Sequence, residues 1–216
     1  MSLSIRLKCV ADMVTNGVRL ADIGTDHGYI PIELVASGCI PSAIAMDINP
    51  GPLQKASENI AAYGLGERIE CRLSDGFEAM DDNEADCAVI AGMGGDLICR
   101  IISDRPDAVR ELVLSPHTHY EKVRRTLRHF QYEIKSERMV NDSGKFYLVI
   151  KAEKNANADM TDTDEVSDYF GSFLLKSKDP VLKEYLLDQK RKFESIPQKE
   201  EYMAIVNRAL NEWELI

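Results

Sequence analysis

Within "RLADIGTDHGYIP", residues 19–31, Asp22 closes an apolar run, Gly24 and Gly28 bracket a short turn, and Thr25, Asp26 and His27 lie between them. A strand, a tight turn and a helix start in that order form a turn suited to holding a nucleotide. In the dinucleotide fingerprint GxGxxG, the second glycine lets the backbone approach a pyrophosphate. Here the pattern is D-x-G-x-x-x-G, and Asp26 stands where that approach would occur. Coulomb repulsion disfavours a phosphate there. S-adenosyl-L-methionine removes the objection: it has no phosphate, its amino-acid end carries an ammonium, and its sulfur is a cation. Asp22 and Asp26 can both attract it, and His27 can help shape the methionine pocket.

Two further stretches fit the same cofactor. Asp47, followed by Ile48, ends the apolar "SAIAMDI", about two dozen residues beyond the first glycine, where an acid can take both ribose hydroxyls. Ser74-Asp75-Gly76 ends "IECRLSDG", where a side chain can lie beside adenine and accept from its exocyclic amine. Each has a plainer reading as a helix cap or simple turn; three at matching offsets favour the cofactor. "IAGMGG", 90–95, places Gly92 and Met93 toward the methyl group. Gly94 and Gly95 would let a flat base slide against the cofactor. In "LSPHTHY", His117 and His119 can face substrate, stack on a base or accept a proton, or stand as exposed loop histidines.

The elements that must position these residues alternate. A helix is expected over 5–16, where Ile5, Leu7, Val10, Met13 and Val14 fall near the helical period. Strands are expected over 18–23, 42–48, 69–76, 86–95 and 111–117. Helices fall between or after them at 31–37, 52–64, 97–103, with Asp96 as cap, and 120–130. Strands 132–140 and 145–153 flank "NDSG", a hairpin turn. Alternation implies a parallel sheet with helices on both faces, and the hairpin adds one antiparallel strand. The expected class is α/β, a class I methyltransferase Rossmann-like sheet with a small coiled-coil-like helical domain at its C-terminal end. The expected division is 1–154 for the methyltransferase domain, 155–168 for an acidic linker and 169–216 for a helical hairpin. In that hairpin Leu182, Leu186, Gln189 and Phe193 oppose Tyr202, Ile205, Ala209 and Leu210.

The chain of 216 residues carries a net charge of −10, which argues against a broad basic surface for nucleic acid. The charge is uneven. Residues 121–151 hold eight Lys/Arg against four acids, while 155–168 hold five acids and no base. No apolar run reaches the ~20 residues of a membrane span. The N-terminus carries Arg6, Lys8 and Asp12 and does not read as a signal peptide. Five scattered cysteines without ligand spacing point to reduced thiols, no metal site and a cytoplasmic location.

"RLADIGTDHGYIP", "IAGMGG", "AIAMDINPGPLQKASENI" and "RLSDG", in this order, resemble the bacterial tRNA (adenine(22)-N1)-methyltransferase family. The resemblance covers roughly residues 2–153, and the tail is similar in character. It implies transfer of a methyl group to N1 of an adenine in folded tRNA, with the base drawn out of its stack. Adenine N1 needs no strong base to expose its lone pair, but attack leaves the base cationic. A carboxylate would stabilise that charge; Asp26 is the candidate, with His117 beside the base. The tRNA phosphates would meet Lys122, Arg124, Arg125 and Arg128, supported by Lys190, Arg191 and Lys192; a solvated helix face is the plainer reading. Two departures stand out. The family tends to show Gln-Pro-Asn where this chain has Ser115-Pro116-His117, and often a glutamate where Asp47 stands. The alternatives are a methyltransferase of another RNA or a small molecule, and a non-catalytic cofactor-binding module. Oligomeric state is not legible.

Overall fold

The computed structural model describes residues 3–158 and 164–214. In chain order the strands are β1 (Leu20–Ile23), β2 (Ala43–Asp47), β3 (Ile69–Leu73), β4 (Cys87–Met93), β5 (Glu111–Pro116), β6 (Tyr132–Asp142) and β7 (Lys145–Lys154). They form one sheet in the order β3-β2-β1-β4-β5-β7-β6. All neighbours pair in parallel as far as β5, and β7 runs antiparallel to both β5 and β6. The expected single antiparallel strand is therefore β7. Its hairpin turns on Ser143 and Gly144, both at positive φ, the backbone a two-residue hairpin turn requires.

β1, β2 and β5 are buried along their whole length, which is why they read as apolar runs interrupted only by Asp22, Asp47, Glu111 and Ser115. Alternate residues feed two cores. Leu20, Ala45 and Val89 face one; Ala21, Met46 and Ile90 face the other. The first core is closed by α1 (Ile5–Ala11), α2 (Tyr29–Ala36) and α3 (Pro50–Ala62), the second by α4 (Gly95–Asp104) and α5 (Tyr120–His129). α1 is shorter than expected: it ends at Ala11, and Met13 and Val14 are buried in the turns beyond while Ile5 is exposed. Asp96 is not the cap of α4. Gly94 holds that position, and Asp96 lies in the first turn, pairing with Lys122 at 2.7 Å.

The C-terminal region comprises α6 (Glu165–Phe170), α7 (Ser172–Lys176), α8 (Pro180–Phe193) and α9 (Glu200–Glu214). Phe170, Leu182, Leu186, Val206 and Ala209 join the α4–α5 core, so these helices continue the hydrophobic core of the sheet. The far end of the acidic stretch is not a solvated connection. Asp164 caps α6 by accepting from Val166 N–H at 2.7 Å, and Val166 and Asp168 are buried. Residues 159–163 of that stretch lie outside the described residues.

Candidate active site

Strand order reverses between β1 and β4, and a cleft of about 570 Å³ opens at the carboxyl ends of the strands there. Ligands of open α/β sheets bind at such switch points. The cleft brings together Asp22, Gly24, Thr25, Asp26, His27, Asp47, Ile48, Ser74, Asp75, Gly76, Gly92, Met93 and His117. Gly28 adjoins it as the N-cap residue of α2, at φ +70°. Gly24 holds φ +76°, and a Cβ there would overlap the end of the Met93 side chain. The positive φ favours glycine at this turn, and any side chain would also have to displace the flexible end of Met93.

Asp22 is buried at the end of β1. Burial pushes its carboxyl up to about 6, and the neighbouring Asp47 carboxylate adds to the rise. A cationic group brought into the cleft would relieve both effects. Asp47 uses one oxygen to accept from Asn49 N–H at 2.7 Å, which fixes the carboxylate and leaves the other oxygen for a ligand. Asp75 is held by Arg100, with bonds of 2.6 and 3.2 Å that keep its carboxyl below the usual range. Ser74 is engaged within its own loop: its hydroxyl donates to Gly76 O and accepts from Ala79 N–H, which commits its proton and one of its two lone pairs. Ile48 (57 % exposed) and Leu97 (40 % exposed) present bare apolar surface to the same cleft. Sequence reasoning missed Leu97 and Arg100, both on α4 downstream of the glycines.

At the end of β4 the pairing with β5 shifts register between Ala91 and Met93, which bulges Gly92 outward at φ +84°. The backbone N–H of His117 donates to Met93 O at 2.8 Å, which ties the same bulge to the main chain of His117. Its pKa is lowered by partial burial and by Arg6 and Lys145. Asp26 projects from the rim, its side chain 77 % exposed, 3.4 Å from His27 Nε2. Gly94 and Gly95 do not line the cleft. Gly95 is buried against the backbone of Thr118 and His119, where any side chain would collide, so its role is packing.

The expected phosphate-binding helix is mostly spoken for. Arg124 is among the most buried side chains, bonded to Glu137 at 2.7 Å and to the carbonyls of Asp168 and Tyr169. Arg125 and Arg128 both bind the Asp168 carboxylate, at 2.7 and 2.6 Å. These three arginines dock the C-terminal helices instead of facing solvent as a set. A run of bases looks solvated in one dimension; its partners are as many as 45 residues away.

This sheet, with its antiparallel β7 and acidic switch-point cleft, defines a Rossmann-like class I methyltransferase. The family model for tRNA (adenine(22)-N(1))-methyltransferase matches residues 20–212, and the chain belongs to that family. It is 36 % identical to the tRNA (adenine(22)-N(1))-methyltransferase of Bacillus subtilis (strain 168), over 84 % of this chain and 78 % of that protein. A Streptococcus pneumoniae protein, Sp1610, solved in complex with S-adenosyl-L-methionine, superposes with a TM-score of 0.89 at 34 % identity, covering 98 % of this chain and 99 % of that one. M. capricolum TrmK in complex with S-adenosyl-homocysteine gives a TM-score of 0.82 at 29 % identity, covering 99 % and 97 %. The cofactor is S-adenosyl-L-methionine, and the cleft suits it. Four aspartates line the cleft, which disfavours a phosphate-bearing ligand, and its size lies within the ~300–1,000 Å³ of small-molecule sites.

Proposed function

We propose that this chain methylates N1 of adenine 22 in tRNA and that the residues of the cleft divide the work as follows. The cofactor supplies an electrophilic methyl group on its sulfonium. Asp22 meets the amino-acid ammonium, Asp47 the ribose hydroxyls, and Asp75 the adenine amine, with the adenine ring between Ile48 and Leu97. Gly92, bulged and without a side chain, leaves a slot in which the target base lies in line with the methyl group. His117, kept neutral by its surroundings, accepts from the N6 amine of the target adenine. This is the part an asparagine carbonyl would play at the same place, and it needs an unprotonated ring nitrogen. Asp26 supplies negative charge at the rim as the base becomes cationic; its exposure keeps that contribution modest.

With Arg124 buried and Arg125 and Arg128 paired to Asp168, the tRNA backbone follows another track. A groove of about 450 Å³ between the β6–β7 hairpin and α8 has His117 at one end and Lys145 and Lys192 along it, with Lys190 and Arg191 just beyond; Lys192 and Arg191 share Asp188 of the same groove but stay mostly exposed. Phosphates on those side chains would deliver the flipped base to His117. No helix among the described residues is long and apolar enough to cross a membrane. A cytoplasmic location belongs to the same proposal, because tRNA is the substrate.

The observation that carries this reading is the aspartate-lined cleft at the switch point of a chain in this family. The test is incubation of unmodified tRNA with labelled cofactor, followed by nucleoside analysis. 1-Methyladenosine should form, and a tRNA with another base at position 22 should take no label. Label in another nucleoside, or none, would overturn the assignment.

A further inference from the structure

His117 lines three adjoining spaces: the cofactor cleft, the groove beside α8 and a smaller pocket of about 170 Å³. The walls of that pocket are rings. Tyr120 comes from α5, Tyr169 and Phe170 from α6, Tyr185 from α8 and Tyr202 from α9. Neighbouring rings lie 5.8–6.5 Å apart, centre to centre, and are tilted by 48–66°, so no pair is stacked face to face. Among the described residues no Lys or Arg lines the pocket and its one carboxylate is Glu121, which disfavours a phosphate. Its volume is several times the ~30 Å³ of one water but below the ~300 Å³ at which sites for whole small molecules begin. A single planar group fits both limits.

We infer that this pocket takes the base of a nucleotide flanking the target adenine in the tRNA. The inference rests on tRNA being the substrate. The target itself is not the occupant, because it must reach the methyl group in the cofactor cleft, and the pocket shares only His117 with that cleft. With the groove it shares His117, Tyr120 and Tyr185, so it opens off the track assigned to the backbone, at the end where the target leaves it. Drawing one base out of a helix also strips its neighbour of a stacking partner. An aromatic pocket beside the track restacks that neighbour, whatever its sequence, and offsets part of the loss. All its rings but Tyr120 stand on the C-terminal helices, so the pocket exists only with those helices seated.

The test is methylation kinetics with unmodified tRNA, intact or abasic on either side of the target, for the wild type, Tyr120→Leu and Tyr185→Leu. Thermal unfolding and calorimetric binding of S-adenosylhomocysteine check that each variant is folded. For the wild type, one abasic tRNA should lose about 5- to 150-fold in kcat/KM, the worth of one base–aromatic stack. Removing a ring should cost the intact tRNA a similar factor and add little to the loss of the abasic one, because the two changes remove the same contact. Undiminished wild-type rates with both abasic tRNAs would overturn the inference. So would losses that multiply, which would mean that the rings only seat the helices. Should a variant fail to fold, iodouridine at the sensitive position decides on the wild type: a photocrosslink to a tyrosine of the pocket supports the inference, and a crosslink elsewhere overturns it. If intact tRNA took no methyl group from the wild type, the proposed function would fall first.

Discussion

Replacing Arg124 separates a structural arginine from an RNA-binding one. Its guanidinium joins three parts of the chain: α5, which carries it, β6 through Glu137, and α6 through the carbonyls of Asp168 and Tyr169. Both charged side chains are almost fully buried, at 2 % and 0 % exposure. Arg124→Met keeps most of the volume but strands the Glu137 carboxylate in the core. Breaking a buried pair from one side costs about 3–5 kcal/mol. For a chain of this size that lowers the melting temperature by roughly 6–20 °C. Glu137 also accepts from Phe173 N–H at 3.3 Å, so the double variant Arg124→Met/Glu137→Met should recover only part of the loss. The assays are urea and thermal unfolding, with tRNA binding followed against salt concentration below the melting range. Expected are a large stability loss and an unchanged salt slope. A melting temperature within about 2 °C of wild type, together with a slope reduced by about one contact, would refute the structural assignment and return Arg124 to the RNA surface.

Asp22→Asn should stabilise the ligand-free protein at pH 7 by about 1–3 kcal/mol, because burial makes ionisation of Asp22 unfavourable. The folded-state value lies above the unfolded one, so the advantage of the variant should fade as pH falls from above 6 to below 4 and wild-type Asp22 takes up its proton. The same variant should bind cofactor more weakly, and a variant both less stable and equally tight would contradict the role given to Asp22. Turnover at saturating cofactor and tRNA should decline on acidification, with an apparent pKa below the usual histidine value, because burial, Arg6 and Lys145 all lower the pKa of His117. His117→Asn should retain an acceptor and abolish that decline; an unchanged pH profile in the variant would assign the titration elsewhere. Gly171→Ala should cost about 2–4 kcal/mol by urea unfolding, since Gly171 sits at φ +85° and its new methyl would meet the Glu137 carboxylate. A cost below 1 kcal/mol would mean that α6 and α7 shift apart easily.

The sheet was legible because its central strands are buried on both faces, and continuous apolar runs such as 43–46 have few other readings. The aspartates that line the cleft were legible for a related reason: Asp22, Asp47 and Asp75 fall at or just beyond strand ends, so an assignment of strands brings them together at one edge of the sheet. Ser74 shows the limit of that rule, since the right position does not reveal that the hydroxyl is used within its own loop. Residues whose role depends on distant partners were not legible. Arg6 meets Asp142, 136 positions away, and Arg124 meets Asp168 across 44. Gly95 read as a glycine that admits a flat base because close approach of a ligand and close packing demand the same residue type, and only the neighbouring Thr118 carbonyl separates them.

The charge pattern gains a physical sense once its parts are placed. The bases of α5 and the acid at the end of the acidic stretch face each other, and their attraction seats the C-terminal helices on the α4–α5 core. Seated there, α8 forms one wall of the groove leading to His117. A polyanion would otherwise be repelled by a protein of this net charge, so binding must rely on a short local track and on base contacts rather than on a broad field. The same economy of charge operates in the cleft, where clustered aspartates reject phosphate ligands and favour a sulfonium. The helices that wall the groove to His117 are thus held by the basic residues that, read along the chain alone, pointed to tRNA.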